Sequence, residues 1–388
     1  MSERFGIVGG GQLGLYLCEA AQSLGMSVTI IADTADSPAL QFAERAIIGP
    51  LDSIASLRQL VADCDVITFD KEDIPDAALD YLCEAEARGQ VAIHPSASSL
   101  RLLKDKALQK AWLQEHQLPT LPFQRLPCAT HTLEWLVENY GNVLVQKSRC
   151  GGYDGRGVQI VDVENAAAAL WDAPSIVEPY LPNCREISVL TVRGQSGEIR
   201  SYPPVGMEFD QQLNSVKCVV MPADISPPLA ATAVELAERV VNLLEGVGLF
   251  AIEMFISPDG ELLINEISPR VHNSGHVTLD ACSVSQFEQH VRAVAGLPLK
   301  PITMQTPGVM LNILYSDAIR GSCPGTPVVD RPAGSSASIY WYGKAAGTHG
   351  RKMGHINALA DDIEAATAEA SRAMAGLSKT NRGSEQAA

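Results

Sequence analysis

Lys147-Ser-Arg-Cys-Gly-Gly-Tyr-Asp-Gly-Arg-Gly-Val158 reads as the end of one strand, a loop with four glycines and the start of a second strand. A lysine before such a loop and an arginine within it can fold over a triphosphate. The glycines let backbone N–H groups reach phosphate oxygens, and the cations supply charge while water is excluded. A plain glycine-rich hairpin is the alternative reading.

Upstream, short apolar runs alternate with amphipathic stretches: Phe5-Gly-Ile-Val8, Val28-Thr-Ile-Ile31, Val66-Ile-Thr-Phe69 and Val91-Ala-Ile93. Strands separated by helical periods predict βαβ units and a parallel sheet. Gly9-Gly-Gly-Gln12-Leu-Gly14 follows the first strand and opens a helix, with Asp33 at the end of the second strand. That spacing satisfies a dinucleotide fingerprint. It also suits a phosphate or carboxylate at a helix N-terminus, or a tight turn with no ligand. A polar helix over about 99–119 leads to Leu118-Pro-Thr-Leu-Pro122, where a second domain is expected to begin.

Downstream, strands at Val143 to Lys147, Val158 to Val161, Ile187 to Val192, Phe250 to Ile256 and Glu261 to Ile267 mix with helices at 228–245 and 284–295, an α+β pattern. Ser257-Pro-Asp-Gly260 is a turn signal between the last two strands. With those residues as the loop, Glu253 pairs with Ile264, and Glu266 is its diagonal neighbour at about 7 to 8 Å. Two carboxylates on one strand face can bracket Mg²⁺, which completes its shell with substrate phosphates. Solvated strand-face acids are the bland alternative. Ser268-Pro-Arg270-Val-His272-Asn273-Ser-Gly-His276 follows, and its Arg and Asn can hold an oxyanion. A two-His zinc site lacks completing ligands at a suitable spacing. Near the end, Trp341-Tyr-Gly-Lys344 and Gly350-Arg351-Lys-Met-Gly-His355 gather cations among glycines, as a phosphate site or a solvated hairpin would. An Ala-rich helix is expected at about 361–375.

The formal net charge of -16 argues against a nucleic-acid partner. No apolar run approaches the roughly 18 residues of a membrane span, and the N-terminus opens on a strand, not a signal peptide, so a cytoplasmic location is expected. Nine cysteines without a C-x-x-C pair read as buried thiols in a reducing compartment.

Three of these motifs in this order, Gly151 to Gly157, Leu262 to His276, and Tyr342 to Lys344 with Gly350 to His355, resemble the N5-carboxyaminoimidazole ribonucleotide synthetases of purine biosynthesis, an ATP-grasp family. The resemblance runs from Gly9 to about Asn357. It implies an α/β and α+β fold: a Rossmann-like N-terminal domain (1–98), a central ATP-grasp domain (99–300, with a lid at about 120–185) and a small C-terminal β-rich domain (301–377). The tail, 378–388, is expected to be disordered. The implied reaction takes ATP, bicarbonate and aminoimidazole ribonucleotide to the N-carboxylated ribonucleotide, ADP and phosphate, with Mg²⁺, in a homodimer.

Carried over by position, Lys106, Lys147 and the loop Gly152, Tyr153, Asp154, Gly155, Arg156, Gly157 and Val158 would hold ATP phosphates. Glu178, Pro179, Tyr180 and Leu181 would meet adenine, and Glu186 the ribose. Phe209 stands where a nucleotide-contacting His is usual. Asn265 and Glu266, with Glu253, match the metal pair. Arg270, His272, Asn273, His276 and Asp154 would serve the bicarbonate chemistry, and Gln12, Glu72, Tyr153, Arg156, Lys344 and Arg351 the ribonucleotide. Leu15, Asp70-Lys-Glu-Asp73 and the segment 206–214 depart from the family pattern. A paralogue acting on another amine, a formate-dependent transformylase and a non-catalytic nucleotide-binding regulator are the rival readings.

Overall fold

Phe5, Ile7 and Val8 on the first strand and Val28, Ile30 and Ile31 on the second are fully buried, because a parallel strand covered by helices on both faces is apolar on both. In this computed structural model, residues 3–127, 133–152, 157–164, 169–210, 215–316, 319, 323–344, 347 and 349–385 are described. The N-terminal region runs β1 (Arg4–Val8), α1 (Gln12–Ser23), β2 (Ser27–Ala32), β3 (Arg45–Ile48), α2 (Ile54–Asp63), β4 (Val66–Phe69), α3 (Asp76–Ala87) and β5 (Ala92–Ile93). Its sheet is parallel, in the order β3-β2-β1-β4-β5. The sequence reading has no counterpart to β3. Only Ile47 of its four residues is buried, so this edge strand carries no apolar run.

The single polar helix expected over 99–119 is two helices, α4 (Ala97–Lys104) and α5 (Lys106–Glu115). Asp105 divides them: its carboxylate accepts the Ala107 N–H at 2.9 Å as the N-cap of α5. Next come β6 (Gln124–Leu126), α6 (Leu133–Tyr140), β7 (Val143–Ser148), β8 (Val158–Asp162) and β9 (Ser175–Pro179), whose strands form a small antiparallel sheet ordered β6-β9-β7-β8. The loop Gly151 to Gly157 joins the inner strand β7 to the edge strand β8.

The chain then builds β10 (Arg185–Arg193), β11 (Ile199–Ser201), β12 (Val205–Asp210), β13 (Ser215–Met221), α7 (Pro227–Leu244), β14 (Gly248–Ile256), β15 (Leu262–Ser268), α8 (Thr278–Ala281) and α9 (Gln286–Val294). The C-terminal region adds β16 (Gly308–Leu314), β17 (Pro327–Asp330), β18 (Ala337–Tyr342), β19 (Lys352–Leu359) and α10 (Ile363–Glu385). These last strands do not form a sheet of their own. β16 pairs with β13, so one sheet runs β15-β14-β10-β12-β13-β16-β19-β18-β17. The backbone of α10 continues past residue 377 to Glu385. Among the described residues every cysteine is a free thiol, but Cys150 is exposed, a correction to the expectation of uniformly buried thiols: it lies in the glycine loop after β7. No described helix is long and apolar enough to cross a membrane.

Candidate active site

Glu253 and Glu266 oppose each other directly on β14 and β15. The ladder runs Ile256↔Leu262, Phe255↔Leu263, Met254↔Ile264 and then Glu253↔Glu266. The diagonal placement expected from the sequence is therefore corrected. The connecting loop includes Glu261, whose carbonyl accepts the Ser257 N–H, and a bulge leaves Asn265 without a partner residue, shifting the register. Opposed side chains on one face start about 5 Å apart at Cβ. Burial, and then the charges of Glu266 and Glu186, push the Glu253 carboxyl up to about 8. A divalent cation between the two would reverse that preference. Hard oxygen donors crowded in this way, beside an amide, are a donor set that suits Mg²⁺.

Lysines from two other elements converge on this hairpin. Lys147, at the end of β7, donates to Asn265 Oδ1 at 2.8 Å and lies 2.6 Å from Glu178 Oε2. Burial would strip its proton, but Glu178 outweighs that and raises its pKa. Lys106, the first residue of α5, pairs with Glu266. The glycine loop is tied to the same helix: Arg149 donates to Asp105 Oδ1 at 3.1 Å, and the Lys106 N–H donates to the Arg149 carbonyl. Sequence reasoning missed this anchor, because a single helix was expected across Asp105.

Glu186 on β10 lies opposite Phe255, and burial pushes its carboxyl up to about 7 against the pull of Lys147. Pro179 and Leu181 are half-buried and Tyr180 is exposed, at the edge where β9 leaves the small sheet. Phe209 is half-buried on β12 and packs against the core of the large central sheet. Gly152, Gly157 and Val158 flank the loop; Tyr153, Asp154, Gly155 and Arg156 lie outside the described residues.

Arg270 follows β15 and is held by a two-point contact with Glu72, with Nη2 donating to Oε1 at 2.9 Å. Burial would raise the Glu72 carboxyl, but the Arg270 guanidinium overrides it and holds it at about 2. His272 Nε2 lies 3.4 Å from Glu253 Oε1, joining this loop to the carboxylate pair. Two expected members turn away. Asn273 exchanges amide hydrogen bonds with Asn312 on β16, at 3.0 and 2.9 Å, so its side chain is committed to the core. His276 is fully buried, stacked face to face on His355 at 4.5 Å, and burial drives its pKa well below the ordinary range. Both tie the loop to the C-terminal strands.

Gln12 and Lys344, far apart in sequence, meet: Lys344 Nζ donates to Gln12 Oε1 at 2.8 Å and to the Lys352 carbonyl at 3.0 Å. Lys344 also sits 5.2 Å from the centre of the Tyr342 ring. Arg351, the residue before β19, is half-buried. The glycine fingerprint is served from within. Asp70, just after β4, accepts the Gly11 N–H at 2.6 Å, so that donor of the turn is taken by the protein's own carboxylate. Asp70 thus reaches the glycine turn of α1 while Glu72, two residues on, reaches Arg270. This short segment joins the Gln12–Lys344 corner to the carboxylate hairpin.

Residues 2–104 match the ribonucleotide synthetase preATP-grasp domain, 111–287 the ATP-grasp domain and 308–369 the phosphoribosylaminoimidazole carboxylase C-terminal domain. The N5-carboxyaminoimidazole ribonucleotide synthase of Synechococcus elongatus is 37% identical over 360 residues, covering 91% of this chain and 89% of that protein. The phosphoribosylaminoimidazole carboxylase of Ogataea methanolica is 36% identical over 93% of this chain, which spans 67% of that longer protein. The crystal structure of the Aspergillus clavatus carboxyaminoimidazole ribonucleotide synthase complexed with ATP superimposes with a TM-score of 0.85 at 32% identity, covering 98% of this chain and 99% of that one. A second structure of the A. clavatus enzyme, with ADP and 5-aminoimidazole ribonucleotide, gives 0.85 at 31% identity over 98% of this chain and 99% of that one. With its three regions matched in order and relatives of similar length named N5-carboxyaminoimidazole ribonucleotide synthase, the chain belongs to that family of ATP-grasp ligases.

Proposed function

We propose that this chain uses ATP and bicarbonate to carboxylate the amine of 5-aminoimidazole ribonucleotide, releasing N5-carboxyaminoimidazole ribonucleotide, ADP and phosphate in de novo purine synthesis. The observation that carries the reading is the Asp70-to-Glu72 segment, which binds the Lys344 corner and the Arg270–carboxylate cluster into one site. Lys147 faces the phosphates of ATP. Arg270, oriented by Glu72, presents a fixed guanidinium to bicarbonate, whose oxygen attacks the γ-phosphorus as the bond to ADP breaks. The resulting carboxyphosphate is attacked at carbon by the acceptor amine; phosphate leaves and the nitrogen gives up a proton. Lys344 and Arg351 hold the acceptor's 5′-phosphate. Glu253, Glu266 and Asn265 would hold Mg²⁺, which neutralises charge on the transferring phosphoryl group when bound.

The loop over Gly152 to Val158 closes on the phosphates and keeps water from the intermediate. The proposal includes a cytoplasmic homodimer with small-molecule partners only, as the family resemblance implies. Supplying ¹³C-bicarbonate, ATP and acceptor labelled with ¹⁵N at the amine tests it. A new carbamate carbon coupled directly to that nitrogen is expected. Carbon attached to the imidazole ring, or no incorporation, would contradict it.

A further inference from the structure

Helix α5 carries a second lysine, Lys110, one turn beyond Lys106 and on the same face. Its side chain is only 3% exposed, and it pairs with Oε1 of Glu178, itself 1% exposed. Lys147 takes the other oxygen of that carboxylate at 2.6 Å. Lys110 also donates to Thr120 Oγ1 at 2.6 Å, and Thr120 Oγ1 donates at 2.7 Å to the carbonyl of Ile264, the residue before Asn265. Glu178 is therefore shared between two buried cations. With Lys147 alone, Glu178 would cancel the charge a polyphosphate needs. A shift of Lys147 toward a ligand would then strand a bare buried carboxylate.

We infer that Lys110 is a positioning residue of the nucleotide site: it holds Glu178, so that Lys147 can leave that carboxylate for the phosphates. The inference rests on the reading of Lys147 as a phosphate ligand. It assigns the Glu178 side chain an electrostatic task separate from any backbone contact with adenine. Burial pushes Lys110 down to about 8 while Glu178 works the other way, so it remains a cation at neutral pH.

Calorimetric titration with ADP tests this in the parent, Lys110→Met and the double variant Lys110→Met/Glu178→Gln. The single substitution should weaken ADP binding at least about tenfold, because Lys147 becomes the only partner of Glu178. The double variant should recover to within about threefold of the parent, with the Michaelis constant for the acceptor unchanged throughout. Equal ADP binding by parent and single variant overturns the inference, as does a folded double variant with no recovery, which marks Lys110 as structural. If the single variant does not fold, a crystal structure of the parent with ADP decides. Lys110 should stay on Glu178 with Lys147 turned to phosphate, and Lys110 displaced from Glu178 is the contrary result. A parent that binds no ADP would instead sink the nucleotide-site reading itself.

Discussion

Two glycine-rich loops follow strands in this chain, and the charged side chains around them are engaged differently. The first, Gly9 to Gly14, meets the protein's own acid: Gly11 donates to Asp70, and a Cβ on Gly9, where φ is +110°, would lie 1.6 Å from Asp70 Oδ1. The second, Gly151 to Gly157, follows a strand end whose cations are held by carboxylates outside the loop, Lys147 by Glu178 and Arg149 by Asp105, and its described ends have φ of +76° and +79°. Both sequences say that something must come close to the backbone. Only the neighbours brought in by the fold decide whether it is a side chain or a ligand.

The largest test of the contrast is Glu266→Gln, which should lower turnover at least about a hundredfold, as loss of a transition-state charge contact does, with the melting temperature nearly unchanged. Activity above a tenth of the parent's would break the assignment of a cation to the β14–β15 hairpin.

Next comes Glu72, held at about 2 against an ordinary value of 4.5. A depressed carboxyl contributes stability that is present above its unfolded pKa and lost as pH falls through the folded one. The parent should therefore lose up to about 3 kcal/mol from this pair between pH 4.5 and about 2. Glu72→Gln should remove that portion of the acid slope in denaturant titrations. Identical slopes would show that the Arg270 contact does not set it.

Lys344→Ala and Arg351→Ala should each raise the Michaelis constant for the acceptor by about ten- to a hundredfold, the value of a charge-assisted contact, and leave that for ATP alone. An effect confined to ATP would move the acceptor away from this corner. Smallest is Asp70→Ala, which should cost about 1 to 2 kcal/mol of stability by uncapping α1, with ATP affinity intact. Lost ATP affinity at unchanged stability would erase the contrast between the loops.

Strand content and the carboxylate pair were legible because apolar runs and turn residues are local. The register was not: the bulge at Asn265 adds one residue with no signature of its own, and moves Glu266 from a diagonal to a direct position. Asn273 and His276 show the limit more sharply. In sequence they belong to a polar loop suited to an oxyanion, yet Asn312 and His355, on strands formed later in the chain, take their side chains into the core. Arg270 and His272 stay at the site because their partners, Glu72 and Glu253, belong to it. The continuation of the central sheet through β13 and β16 was likewise invisible, since a long-range strand pairing leaves no periodicity behind.

Coupling of ATP cleavage to acceptor carboxylation is the core of the proposed function. Its most direct test is the rate of ADP release with ATP alone, then with bicarbonate or 5-aminoimidazole ribonucleotide added singly, then with both. Rapid release is expected only in the complete mixture, with a weak background otherwise, because the carboxylate hairpin and the Lys344 corner must both be filled. Equal rates with and without the ribonucleotide would contradict the account.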